Sequence, residues 1–141
     1  MTRLSRMLVI ATAATLIAAP AASAQSAPTL SAPSNGKALK RGVAFTFKAK
    51  LDTSSEASGV FLVVSKSKKL DDTGILDGKA YMREMKGSGG SYSKKTDKYP
   101  ALSDYFLNRP GKYYWQAYAI DCSGGTEDCN VESPVRSFRI K

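Results

Sequence analysis

The clearest pattern along the chain is period two. From Gly42 onward, Val43, Phe45, Phe47 and Ala49 alternate with Ala44, Thr46, Lys48 and Lys50. This puts apolar side chains on one face of a strand and polar ones on the other. Gly59 opens a second run, Val60 to Val64, too short and too β-branched for a helix. A third strand is predicted over Lys79–Met85, with Tyr81 and Met85 on one side and Met82 on the other. Gly87 to Gly90 reads as a turn or loop, and Tyr92–Tyr99 as a lysine-rich edge strand. Ala101–Leu107 fits a single helical turn. Pro110-Gly111 marks a turn before the strongest strand, Lys112–Cys122, and Val135–Ile140 ends the chain as another. Strands at this spacing, with no helical period, predict an all-β fold built as a single antiparallel β-sandwich.

The first 24 residues stand apart from this pattern. Met1–Arg6 is basic, Met7–Ala19 is apolar, Pro20 breaks the run, and Ala22-Ser23-Ala24 supplies small residues for cleavage. This is the arrangement of a secretory signal peptide, with cleavage expected after Ala24. The apolar run of 13 residues is well short of the roughly 20 that cross a bilayer. No membrane span is therefore expected in the mature protein. The alanine-rich leader is bacterial in style, and no cysteine follows the cleavage site to carry a lipid. Residues 25–33 read as a short N-terminal linker or first-strand region, and residues 34–141 as the domain. The expected location is extracellular, outside the bacterial envelope.

Composition narrows the chemistry. A chain of 141 residues, 43% hydrophobic, makes one domain with its own core. Histidine is absent, which removes Ser-His and Cys-His catalysis and every His-ligated metal site. The net charge of +9 falls to +7 once Arg3 and Arg6 leave with the leader. Most of the remaining cations are lysines spread along the chain, such as Lys37, Lys40, Lys66, Lys94 and Lys95. Spread lysine serves solubility or attracts a polyanion. Export and the lack of any nucleic-acid motif set nucleic acid aside as a partner.

Cys122 and Cys129 are the two cysteines of the sequence. In an exported domain they most simply form one disulfide, which the loop-entropy relation values at about 2.5 kcal/mol. A tetrahedral zinc site would need further ligands. The acid pairs Asp71-Asp72 and Glu127-Asp128 read as turn residues, because sequence neighbours on a strand point to opposite sides and cannot face each other across a sugar. Asp121, Glu127, Asp128 and Glu132 could offer oxygens to calcium, but without EF-hand spacing. No Gly-x-Ser-x-Gly occurs. The sequence thus indicates no catalytic residues, no metal and no cofactor, and reads as a non-enzyme.

The stretch from Leu107 to Asp121, with a Pro-Gly turn followed by Tyr113, Trp115, Ala117 and Ala119 in alternation, resembles the sixth strand of fibronectin type III and related bacterial Ig-like domains. Ser133–Ile140 resembles their last strand, Val60–Ser65 their third, and Ser34–Leu39 with Phe45–Phe47 their first turn and second strand. Phe47 stands where the family commonly has a core tryptophan, and the stretch from Lys66 to Arg109 is longer than the family norm. The resemblance implies a module that binds or spaces and does not catalyse.

Two surfaces are candidates for recognition. One is the loop Ser123, Gly124, Gly125, Thr126, Glu127 and Asp128, closed by the two cysteines; the competing reading is a loop stapled for stability alone. The other is the outward face formed by Phe61, Val63, Tyr114, Tyr118 and Ile120, unless a crossing segment from Lys66 to Tyr99 covers it. Three classes of function follow. The first is a secreted binding or adhesion module for an extracellular protein or an anionic or glycan polymer. The second is an enzyme inhibitor presenting the loop. The third is a structural component with weak self-association.

Overall fold

A computed structural model describes residues 26–52, 57–78, 81–97, 106–121 and 129–141. Within them the chain forms β1 (Thr29–Ala32), β2 (Lys37–Leu39), β3 (Thr46–Lys50), β4 (Gly59–Ser65), β5 (Tyr81–Glu84), β6 (Lys86–Ser88), β7 (Ser91–Lys95), β8 (Gly111–Ile120), β9 (Asn130–Glu132) and β10 (Arg136–Ile140). The first sheet has the order β1-β3-β7-β6. The second has the order β2-β10-β8-β4-β5, with β9 also paired to β8. Pairing is antiparallel apart from β2, which runs parallel to β10. The predicted two-sheet β-sandwich is the observed fold.

The alternation read from the sequence builds the core between the sheets. Phe47 and Ala49 meet Val60, Leu62 and Val64, and the inward row of β8 is Tyr113, Trp115, Ala117 and Ala119, all buried. Phe47 sits edge-on to Trp115 at 5.1 Å and to Phe138 at 5.7 Å, a geometry that adds to the burial of the rings themselves. β9 and β10 behave as one strand interrupted at Ser133–Val135. There Pro134 has no N–H to give, and the Ser133 hydroxyl fills the ladder by accepting the Ala117 N–H at 3.0 Å.

Four expectations change. Val43 was predicted to face inward, but it is 54% exposed, because the chain first turns at Gly42, whose φ is 76°, and enters β3 only at Thr46. Gly87 and Ser88 lie in β6 and not in a loop. A Cβ at Gly87 would come within 1.9 Å of the Ser91 carbonyl oxygen, so the close approach of β6 to β7 demands glycine. The turn itself is Gly89-Gly90, with φ of 59° and 80°, the two-residue hairpin loop that matches strand twist. The strand β7 is interior at Ser91–Ser93, between β3 and β6, because the chain passes from the second sheet to the first at Met85; its lysine-bearing end, Lys94–Lys95, pairs with β3 alone. Finally, β2 and β9 form where no strand was predicted. Phe106–Asn108 make a short 3-10 turn, and most of the predicted helical turn lies outside the described residues.

Candidate functional site

The outward parity of β4 and β8 carries the aromatic strip, and the structure covers much of it. The segment after β4 folds back over this side of the sheet, so that Ile75 and Leu76 cluster with Val63 and Tyr118 in a second small core. The strap is shaped by Asp71, whose Oδ1 accepts the N–H groups of Thr73 and Ile75, each at 3.0 Å, and the Thr73 hydroxyl at 2.7 Å. An Asx-type turn of this kind suits an aspartate that precedes a glycine. The Ser65 hydroxyl donates to the Asp77 carbonyl at 2.8 Å and anchors the return.

Gln116 fixes the strap to the sheet. Its side chain lies on the same face as Tyr114 and Tyr118 and is 2% exposed. Its Oε1 accepts the Leu76 N–H at 3.1 Å, and its Nε2 donates to the carbonyls of Gly74 and Ser133, each at 3.0 Å. The sequence pattern showed a lone glutamine between two tyrosines, and that was the signal that something polar has to meet it there.

Of the predicted face, Val63 is fully buried and Tyr118 is 8% exposed. The expectation that these two are open to a partner is corrected, because Ile75 and Leu76 occupy that side. Phe61 stacks on Tyr118 at 5.4 Å and 17°. With Tyr114 and Ile120 it forms a half-buried rim packed against the second core. Burial also pushes the Tyr118 phenol pKa upward. The predicted loop residues Ser123–Asp128, together with Cys122, lie outside the described residues. At the neck of that loop the Asp121 N–H donates to the Cys129 carbonyl at 2.8 Å, and Cys129 is not a free thiol.

A surface that sequence reading passed over lies on the first sheet. The outward positions of three adjacent strands line up in register: Lys50 beside Ser91 and Ser88, Lys48 beside Ser93 and Lys86, and Thr46 beside Lys95. These eight positions hold four lysines, three serines and one threonine, with no acid and no apolar residue. All but the half-buried Thr46 are exposed. No described carboxylate forms an ion pair with the four lysines. Only the pairing of distant strands reveals this face, since Lys48 and Lys86 are far apart in sequence.

Tyr113 closes the corner before β8. Its hydroxyl donates to the carbonyls of Phe106 at 2.8 Å and Arg109 at 2.5 Å, and its ring stacks on Phe138 at 5.2 Å. A tyrosine at the start of this strand, bonded to backbone a few residues upstream, is the tyrosine corner of immunoglobulin-like sandwiches. The sheet orders fit the same plan: β1-β3-β7-β6 corresponds to A-B-E-D, and β10-β8-β4 to G-F-C, with β5 beside C. The fold is an immunoglobulin-like, fibronectin type III-like β-sandwich. No family model and no curated protein matches the chain. Eight solved chains match in structure. One of them holds the fibronectin(III)-like modules of CbhA from Clostridium thermocellum, at 16% identity and a TM-score of 0.46, covering 81% of this chain and 45% of that one. The chain therefore spans less than half of that solved chain, and the reading of the fold stands on its own strand order and corner.

The corner gives a pH-dependent prediction. Burial raises the Tyr113 pKa from its ordinary 10 to about 12, against the smaller opposing effects of the nearby Arg109 charge and backbone. Below the unfolded value both states are protonated, so the hydroxyl's contribution is fully present and does not vary with pH. Between pH 10 and 12 the unfolded chain ionises first, so stability falls by about 2–3 kcal/mol. Tyr113→Phe should cost about 1–2 kcal/mol at pH 7, from two carbonyls that lose their donor, and should abolish this part of the alkaline loss. Urea unfolding of both proteins from neutral pH to about pH 11.5 measures it; parallel curves would contradict the account.

Proposed function

We propose that this protein is an exported, non-catalytic binding module that holds an extracellular or envelope polymer of anionic character. One observation carries the reading. The sandwich uses both faces of its second sheet for packing, one in the main core and one under the strap, and leaves the outer face of the first sheet broad and cationic. Sandwiches of this kind serve as binding or structural modules, and fold alone does not set the ligand. The leader read from Met1–Ala24 supports export, and an oxidising compartment suits a bond between Cys122 and Cys129. Among the described residues no helix is long and apolar enough to cross a membrane.

The test immobilises the mature chain beginning at Gln25 and offers it envelope polymer fractions and secreted proteins in parallel. Retention of a polymer fraction, released by salt, is the expected result. A stoichiometric complex with a single enzyme would replace this reading with an inhibitor. Assembly of the chain with itself, rising with concentration, would replace it with a structural component.

A further inference from the structure

We propose that the outer face of the β1-β3-β7-β6 sheet is a docking surface for a linear polysaccharide bearing carboxylate or sulfate groups, with Lys48, Lys50, Lys86 and Lys95 as its cations. The proposal rests on the binding-module reading and names the site and ligand class within it.

The position of the lysines argues against a purely protective role. Lysine on a sheet edge prevents edge-to-edge pairing. Here β3 is an interior strand, so Lys48 and Lys50 guard no edge, whereas Lys86 lies on the edge strand β6 and Lys95 on the end of β7 that β6 does not reach. Solubility alone is served by mixing both signs of charge, yet no position in this register is acidic. Alternate residues on a strand are about 7 Å apart and neighbouring strands about 5 Å apart. Lys48 therefore sits on a backbone position about 7–10 Å from each of the other three, close to the screening length of about 8 Å in physiological salt, while Lys50 is about 12 Å from Lys86 and about 15 Å from Lys95. Their fields add over the face, and an extended anion lying across it meets several of them at once.

The residues between the lysines select the class of anion. Ser88, Ser91, Ser93 and Thr46 each offer a hydroxyl that both donates and accepts, which suits the ring hydroxyls and oxygens of a sugar chain. Nothing on the face is aromatic, so there is no platform on which bases could stack. None of the eight positions is apolar, and Ala32, which pairs with Lys48 on β1, is too small to give a bilayer much to bury. The cations are lysines, flexible point charges that meet anionic oxygens in many orientations and do not by themselves choose between carboxylate, sulfate and phosphate; the hydroxyls between them are what favour a sugar chain.

The experiment titrates the mature protein with alginate, a carboxylated chain, and heparin, a sulfated one. Dextran is the neutral control; single-stranded DNA, polyphosphate and phosphatidylglycerol vesicles are the other anions. Binding to alginate or heparin, weakening as salt rises, and none to dextran is expected. Changing Lys48, Lys50, Lys86 and Lys95 together to serine should weaken binding by about tenfold or more. The equal-charge control, with Lys37, Lys40, Lys68 and Lys141 changed to serine, should stay within about twofold. The double variant Lys48→Ser/Lys50→Ser should fall between, and serves if the quadruple variant folds poorly. Equal losses in both quadruple variants would reduce the effect to net charge and overturn the proposal. Stronger binding to DNA, polyphosphate or vesicles would overturn the ligand class. Failure to bind any anion would overturn the site, while retention of a neutral glycan or a protein would leave the binding-module reading standing.

Discussion

Replacing Gln116 with leucine is expected to destabilise the fold by about 3–5 kcal/mol, although leucine is close in size and more apolar. The glutamine is 2% exposed and satisfies three backbone groups on two other segments: the Leu76 N–H, the Gly74 carbonyl and the Ser133 carbonyl. Leucine would leave them without a partner beneath the strap, and each orphaned buried group costs about 1–3 kcal/mol. The transfer gain of an extra apolar side chain, about 1–2 kcal/mol, does not offset that. Urea denaturation measures the change, which should appear as a lower midpoint with little change in slope. A cost under about 1 kcal/mol would show that the strap is held by its own turn at Asp71 and not by Gln116.

Tyr118→Ala is expected to cost about 3–4 kcal/mol, in the range of truncated core aromatics. The ring is 8% exposed, stacks on Phe61 and packs with Val63, Ile75 and Leu76. Its hydroxyl meets only the Met82 sulfur, at 3.8 Å, so Tyr118→Phe should be nearly neutral and separates ring from hydroxyl. The two substitutions act on one cluster, so Gln116→Leu and Tyr118→Ala together should cost less than their sum. A near-normal melting temperature for Tyr118→Ala, with loss of an interaction, would restore the aromatic strip as an open contact site.

How far the sequence was readable depends on the kind of information each feature needs. Tyr113, Trp115, Ala117 and Ala119 share one face because side chains alternate along a strand, and the large Trp115 takes the main core, so local pattern was enough there; Val60 to Val64 is apolar on both faces, and its inward set follows from pairing with β8. The strap was not readable in the same way. Ile75 and Leu76 are two apolar residues in a polar, aperiodic stretch, and their role is set by a face contributed by β4 and β8. The sequence did offer both readings of that face, open or covered, and burial of Val63 decides for cover. β6 was hidden because Gly87 looks like a loop residue until the approach of Ser91 is known. The polar alternates Lys48 and Lys50 were visible at once, but their alignment with Lys86 and Lys95 depends on strand register. The loop from Ser123 to Asp128 lies outside the described residues and remains a sequence-based proposal, with its disulfide.

The central claim is that the strap closes a second core over Val63 and Tyr118 on the outer side of the second sheet, while the outer face of the first sheet stays open. Native-state hydrogen exchange of the Leu76 amide tests it most directly, because that N–H is donated to the buried Gln116 Oε1 at 3.1 Å. The account predicts that Leu76 exchanges as slowly as the core amides of β8, opening only with global unfolding, and that Gln116→Leu removes most of this protection. Exchange of Leu76 at the rate of an open surface loop, with the β8 amides still protected, would contradict it.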